Sequence, residues 1–230
     1  MTGNCGLTVD PTTAQFSLSL FVWLSPAFPV GAYAYSHGLE WAAEAGDVRD
    51  AATLAQWLAD LCDCGAPRLD VALFAAAHRA APAERASLNE LAVALSGSRE
   101  RRLETTAQGT AFVAAARAAW PCAALDALGD APVAYPIAVG TVANGHGVAL
   151  EPAAPVFALS LFANLVSAAT RLSVVGQTDG QRILAALTPR LAEMAARALR
   201  DDVETFGACA FRSDIAAMKH ETQYSRLFRS

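Results

Sequence analysis

His37 and Glu40 stand three residues apart in a segment that also carries Tyr33, Tyr35 and Ser36. On a helix, an imidazole and a carboxylate at this spacing share a face and could pass a proton to or from a substrate. No residue nearby resembles a nucleophile paired with its own base. The pattern therefore favours a polar rim at the start of a helix. A helical enzyme that uses His37 and Glu40 on a small substrate stays open as the alternative.

Cys62 and Cys64 form a C-x-C pattern, which could hold a soft metal ion. On a helix, however, residues two positions apart point about 200° away from each other. No second ligand pair accompanies the cysteines, and no two histidines have the i, i+4 spacing of a helical metal site. The four histidines are His37, His78, His146 and His220. The sequence therefore predicts no resident metal or cofactor.

Several classes of protein are excluded by what the sequence lacks. It contains no G-x-x-x-x-G-K-[ST], no G-x-G-x-x-G and no G-x-S-x-G pattern. Lys219 is the only lysine, so no other position can supply a Schiff-base lysine. The net charge of −5 argues against non-specific binding to nucleic acid. Five cysteines, an odd number without a leader-peptide pattern, predict reduced thiols in a cytoplasmic protein.

The elements that must position these residues are helices. Hydrophobic residues make up 54% of the 230 positions, and alanine is the commonest type, which together predict a folded, all-α protein. Residues 18–35 and 156–172 are apolar, but proline, glycine or polar residues interrupt both, so neither predicts a membrane span. We predict a single-domain bundle of about ten helices over residues 16–211. A flexible N-terminus covers residues 1–15, and a C-terminal partner-binding segment covers residues 212–230.

Four local predictions bear on where side chains point. Residues 32–44 are predicted to form one helix, and residues 156–172, apolar nearly all round, a central buried helix. Residues 98–120 are predicted to form a long helix in which Leu103 and four alanines repeat at helical spacing. Such a small-residue stripe lets another helix approach closely. Residues 176–180 interrupt the pattern and predict a polar turn between helices.

In the segment that precedes Glu40, two prolines and Gly31 restrict the path of the backbone, and large aromatic residues lie between the prolines and after the glycine. Phe28, Tyr33 and Tyr35 are predicted to be exposed or half-exposed there. Aromatic side chains on a pre-ordered loop suit a protein interface, because little conformational entropy is lost on docking. The alternative, that these rings cover the core of the bundle, stays equally open.

The C-terminal segment is rich in the residue types that dominate binding hot spots, including Tyr224, Arg226 and Phe228. A helical turn would place Tyr224 and either Leu227 or Phe228 on one face. A segment this short is marginal as an isolated helix, so we expect it to be mobile alone and to fold on a partner. The alternative is that it packs on the core of its own chain.

Four segments in order resemble the UreF family of urease accessory proteins. Residues 25–40 read S-P-A-F-P-V-G-A-Y-A-Y-S-H-G-L-E, and residues 99–109 match an R-E-x-R-x-E-x-x-x-x-G pattern. Residues 171–181 match R-L-x-x-x-G-Q-T-x-G-Q, with Arg171 where the family commonly has lysine. Residues 213–230 correspond to the family's closing motif, especially at His220, Glu221, Ser225, Arg226, Leu227, Phe228 and Ser230.

The resemblance implies an all-α, homodimeric accessory protein without catalytic activity, which helps to insert nickel into urease. It implies partners UreD (also called UreH), the GTPase UreG and apo-urease, and neither nucleic acid nor membrane. Nickel would be held at most transiently, and GTP would belong to UreG. The residues implied for partner binding are Phe28, Tyr33, Tyr35, Ser36, Glu40, Arg171, Gln177, Thr178, Gln181, His220, Glu221, Tyr224, Ser225, Arg226, Leu227 and Phe228.

Overall fold

A computed structural model of the protein describes residues 18–203 and 207–230. Within these residues every regular element is helical, which confirms the predicted all-α bundle. The helices are α1 (18–23), α2 (Leu39–Glu44), α3 (Ala51–Cys64), α4 (Ala66–Arg79), α5 (Arg85–Ala94), α6 (Arg99–Ala119), α7 (Ala123–Asp126), α8 (Tyr135–Gly145), α9 (Leu150–Arg171), α10 (Gln177–Ala198) and α11 (Phe211–His220), with short 3-10 turns at Ala32–Ala34 and Pro82–Glu84.

The core is centred on α8, which is buried along its first nine residues. Helix α8 packs between α4 and α6, and α9 closes the same core from the side of α4. Gly140 permits the close approach of α4, since a Cβ atom there would lie 2.4 Å from the Phe74 carbonyl oxygen. On the same face of α4, Phe74 stacks on Phe157 of α9 with ring centroids 4.8 Å apart.

Helix α9 is the central apolar helix that the sequence predicted, although it begins at Leu150 rather than at residue 156. Among the described residues it is the one helix long and apolar enough to cross a membrane. Of its most apolar window, 56% is buried inside the protein, chiefly by α10 and α4. Such burial by neighbouring helices accounts for its composition as that of a core helix.

The predicted helix over residues 32–44 is broken in the structure. A 3-10 turn at Ala32–Ala34 is followed by extended backbone at Tyr35, and α2 begins only at Leu39. His37 and Gly38 adopt positive φ angles of 54° and 76°, which a right-handed helix cannot contain. The break lets the His37 side chain contact Glu104 of α6 and brings the Gly38 backbone against Ala217 of α11.

The predicted polar turn over residues 176–180 is wrong, because α10 begins at Gln177 with Gly176 as its N-cap. Gly180 lies inside this helix, where a Cβ atom would meet the Val166 side chain of α9 at 2.9 Å. Gly180, one of the glycines that indicated a turn, therefore allows α10 to pack closely on α9.

The predicted packing stripe on α6 is also wrong. Leu103 is 55% exposed, and the alanines of that stripe are exposed or half-buried. The buried face of α6 begins with polar side chains, Glu100, Glu104 and Gln108, and becomes apolar only from Phe112 onward. Carboxylates are rarely buried unless they have partners. The polar half of this face is where the functional candidates meet.

Candidate interaction site around residues 221–230

Residues 221–230, called the tail below, are held against the protein by the carboxylate of Glu40. One carboxylate oxygen accepts the backbone N–H of Leu227 at 2.6 Å, and the other accepts that of Phe228 at 2.9 Å. Charge-assisted bonds to a backbone in this manner fix its path more firmly than neutral ones. The side chain of Phe228 is buried, and the Arg171 guanidinium lies 4.3 Å from the centre of its ring.

Further contacts join the tail to the loop over residues 25–38. The Arg229 N–H donates to the Ala34 carbonyl oxygen at 2.7 Å. The Ser230 backbone oxygen accepts from both the N–H and the hydroxyl of Ser36, each at 2.5 Å. The tail is therefore docked on its own chain, as in the second of the two arrangements considered from the sequence. It has no helical turn after His220.

His220, the last residue of α11, is fully buried between two carboxylates. Its Nδ1 lies 2.7 Å from Glu100 and its Nε2 lies 3.0 Å from Glu40. Both ring nitrogens of His220 therefore lie within hydrogen-bonding distance of a carboxylate oxygen. Glu100 also accepts from Arg226 at 2.8 Å. One histidine thus links α2, α6 and α11, and Arg226 ties the tail to the same cluster.

A second buried cluster lies beside the first. Glu104 contacts His37 Nε2 at 2.9 Å and Arg101 Nη1 at 3.2 Å, and Arg101 also pairs with Asp70 of α4. Burial acts to raise the pKa of Glu104, but the charges of His37 and Arg101 outweigh it and lower the pKa to about 2. For Asp70, burial dominates and its pKa is raised in spite of Arg101. The two carboxylates share one guanidinium, and Glu104 has His37 as a second partner.

Six residues of the implied partner-binding set are buried in the structure. Ser36, Glu40, His220 and Phe228 are buried because they hold the tail to the domain. Phe28 is 8% exposed and packs on Phe112, with ring centroids 5.1 Å apart, and Tyr35 is buried as well. For the aromatic loop, the alternative that the rings cover the core is therefore correct at Phe28 and Tyr35. In the structure, these six side chains are buried. They hold the neighbouring exposed residues in place and are not themselves part of the exposed surface.

Other residues of the implied set do lie on the surface. Tyr224 is completely exposed, Tyr33 is 71% exposed and Leu227 is 66% exposed. Ser225, Arg226 and Arg171 are exposed as well. Glu221 is half-buried, because its carboxylate accepts the Arg99 N–H at the start of α6 at 2.8 Å. A carboxylate there satisfies a backbone donor that has no partner within the helix.

A groove of about 700 Å³ brings part of this set together. Tyr33, Arg171 and Leu227 line it, along with Ala107 and Ala111 of α6. Two alanines of the predicted α6 stripe, Ala107 and Ala111, therefore line an open groove instead of forming the predicted contact with another helix. Gln177, Thr178 and Gln181 are exposed on the first turns of α10 and do not line this groove.

The sequence analysis missed the residues that organise the site, namely Glu100, Arg101, Glu104 and Asp70. A signal was present, since Glu100, Glu104 and Gln108 repeat at i, i+4 on the stripe that continues to Phe112. Charged residues aligned with an apolar stripe indicate a buried polar cluster. The helix was instead predicted to pack through its stripe of Leu103 and alanines.

The site consists of contacts that buried charged side chains make with one another and with the tail. His37 binds Glu104 while Glu40 binds the tail and His220, so the suggested acid/base pair does not exist in this arrangement. The described part of the chain holds no group of three or more side chains that could bind a metal ion. Tyrosine, leucine and arginine side chains stand exposed on backbone that buried carboxylates hold in place, as at binding hot spots. Fold and site define an all-helical interaction protein.

Comparison with known proteins gives its family. A family model described as UreF matches residues 48–188. The urease accessory protein UreF of Methylobacterium radiotolerans is 54% identical over 96% of this chain and 100% of its own length. That of Methylorubrum populi is 51% identical over 93% of this chain and 99% of its own length. That of Bradyrhizobium diazoefficiens is 50% identical over 100% of this chain and 99% of its own length. The chain belongs to the UreF family of urease accessory proteins.

Proposed function

We propose that this protein is a scaffold for urease maturation that bridges UreD (UreH) and the GTPase UreG in a complex on apo-urease. Nickel is the cargo of that complex, and GTP is bound by UreG. The proposal rests on membership of the UreF family over nearly the whole chain. The expectations that the protein acts without catalysis of its own, in the cytoplasm and as a homodimer belong to the same proposal.

The observation that carries the proposed partner surface is the docked tail with its exposed side chains. Glu40 fixes the backbone of Leu227 and Phe228, whereas Tyr224 and the Leu227 side chain face solvent. Docking on pre-ordered backbone loses less entropy than docking on a mobile segment. We assign the UreD contact to Tyr224, Leu227 and the groove beside Tyr33 and Arg171.

Alanine substitutions on the tail test this assignment. Tyr224→Ala and Leu227→Ala are each expected to weaken binding to UreD by about 2 kcal/mol, roughly thirtyfold, if they are hot spots. Both side chains are exposed, so the melting temperature of the isolated protein should stay within about two degrees of the unmodified value. The measurements are calorimetric titration with purified UreD, recruitment of UreG in a pull-down, and a thermal melt.

Two controls make the result specific. Leu159→Ala removes an apolar side chain that is 38% exposed on α9 and should leave UreD binding unchanged. Phe228→Ala removes a buried ring and should lower the melting temperature, so it reports loss of tail docking separately. Binding by Tyr224→Ala and Leu227→Ala within twofold of the unmodified protein contradicts the assigned surface.

A further inference from the structure

Two cysteines that are 145 positions apart in sequence lie side by side in the structure. The backbone N–H of Cys209 donates to the carbonyl oxygen of Cys64 at 2.8 Å. Cys64 is the last residue of α3, so its carbonyl oxygen accepts no hydrogen bond within the helix and can accept one from a neighbouring segment. The contact joins the stretch just before α11 to the C-terminal end of α3.

This contact brings the two residues within the range of a disulfide bond. With standard backbone bond lengths, a single N–H···O=C bond of 2.8 Å holds the two Cα atoms within about 6.7 Å of each other. Disulfides span Cα separations of about 4.4–6.8 Å. Partial burial, with smaller contributions from nearby carboxylates, raises the pKa of the Cys64 thiol.

Both thiols are accessible. Cys64 and Cys209 are exposed, whereas Cys62 is buried and Cys122 is half-buried. The Cys64 thiol donates to the Asp60 carbonyl oxygen at 3.3 Å, a local bond that a rotation about the Cα–Cβ bond releases. Cys62, two residues away on α3, points to the core and cannot reach the solvent-facing pair.

We propose that Cys64 and Cys209 are a redox-sensitive pair that hydroperoxides oxidise to an intramolecular disulfide. The bond ties the segment before α11 to α3. Helix α11 ends at His220, between Glu40 and Glu100, so the cross-link restrains the helix that carries the tail. The proposal is independent of the partner surface assigned above.

The reaction consumes one hydroperoxide and both thiols. The Cys209 thiolate attacks the terminal peroxide oxygen, the O–O bond breaks, and the products are a sulfenic acid and an alcohol once the alkoxide takes up the thiol proton. We assign this step to Cys209 because the Cys64 thiol is already engaged with the Asp60 carbonyl oxygen. Cys64 sulfur then attacks the sulfenic sulfur, the S–S bond forms, and hydroxide leaves as water with the Cys64 proton. Two thiols are oxidised, and one peroxide is reduced to alcohol and water.

The test treats the full-length protein with excess tert-butyl hydroperoxide and maps its peptides without reduction. The expected product is a Cys64–Cys209 linked peptide, with a mass lower by two hydrogen atoms per chain. A dithiol reductant restores both thiols. The melting temperature of the oxidised protein should rise by several degrees, since the bond closes a long loop in the unfolded chain.

Single substitutions give matched controls. Cys64→Ala and Cys209→Ala should each abolish the linked peptide and the rise in melting temperature. Cys122→Ala and Cys62→Ala should retain both. The proposal is overturned if the oxidised protein links either cysteine to a different one, if only intermolecular bonds form, or if both thiols stay free or oxidise separately. Because these readouts need no partner protein, failure here leaves the UreD assignment untouched, and the reverse also holds.

Discussion

At the scale of single residues, three glutamates carry the site, and each does so through a different set of donors. Glu40 accepts two backbone N–H groups of the tail, Glu100 accepts from His220 and Arg226, and Glu104 binds His37 and Arg101. Removing one partner of a buried charge leaves the other unpaired, which costs more than the pair itself contributes. Substitutions at these positions therefore act first on the docking of the tail.

Glu104 gives a pH dependence with a definite sign. Its native pKa of about 2 lies below the ordinary value of 4.5, so the folded state binds the proton less readily than the unfolded chain. The stability contributed by this group is fully present above about pH 4.5 and is lost as the pH falls towards 2. From that shift, the loss is at most about 3 kcal/mol.

The measurement is the free energy of unfolding by denaturant at several pH values between about 5 and 2. Glu104→Gln should be less stable than the unmodified protein near pH 5, and the difference should narrow as the pH falls. Glu193→Gln, which changes an exposed carboxylate on α10, should follow the unmodified protein throughout. A difference between Glu104→Gln and the unmodified protein that is constant with pH contradicts the role given to Glu104.

At the scale of elements, the position of α11 depends on close contact with the residue before α2. Gly38 has a φ of 76°, and a Cβ atom there would lie 2.5 Å from the backbone nitrogen of Ala217. Gly46, just after α2, has a similar φ of 79° with nothing within 4 Å of the corresponding position. Alanine substitutions at these two glycines therefore distinguish the cost of a positive φ from the cost of a clash with α11.

Gly46→Ala is expected to cost about 1–2 kcal/mol of stability, from backbone strain alone. Gly38→Ala adds a clash with backbone that cannot rotate away, and we expect its cost to be larger by about 2 kcal/mol or more. Chemical denaturation of both variants measures the difference. Equal losses for the two would show that α11 yields to the methyl group and that the contact does not fix its position.

At the scale of the whole molecule, the aromatic loop offers little apolar surface to the proposed homodimer, because Phe28 and Tyr35 are covered by their own chain. Other large apolar side chains remain uncovered. Those on α1 are Leu18, Phe21 and Val22, and those on α11 are Phe211, Ile215 and Met218. Exposed apolar side chains that lie together on one helix are typical of interaction surfaces in folded proteins.

Light scattering at micromolar concentrations should give about 48 kDa, twice the 24.0 kDa of one chain. Phe21→Arg and Phe211→Arg place a charge on α1 and on α11 respectively, and the one that lies in the interface should yield the monomer mass. A mass near 24 kDa at every concentration for the unmodified protein rejects the dimer.

The sequence by itself determined the helical class, most helix positions and the family. These follow from local information, because helical periodicity, prolines and caps act within a few residues of each other. The central helix over residues 156–172 was found in this way. The motifs in residues 25–40 and 213–230 were also found from the sequence alone, because a motif can be recognised without knowledge of tertiary contacts.

Only the tertiary structure decided which of those residues face inward. Glu40 and His220 are 180 positions apart, and Cys64 and Cys209 are 145 apart, so no local pattern indicates that they meet. The same holds for the tail, where the motif names Leu227 and Phe228 alike but packing buries only Phe228. The physical reason is that burial of a charged or aromatic side chain depends on partners that distant helices supply, and periodicity records only the helix on which a residue stands.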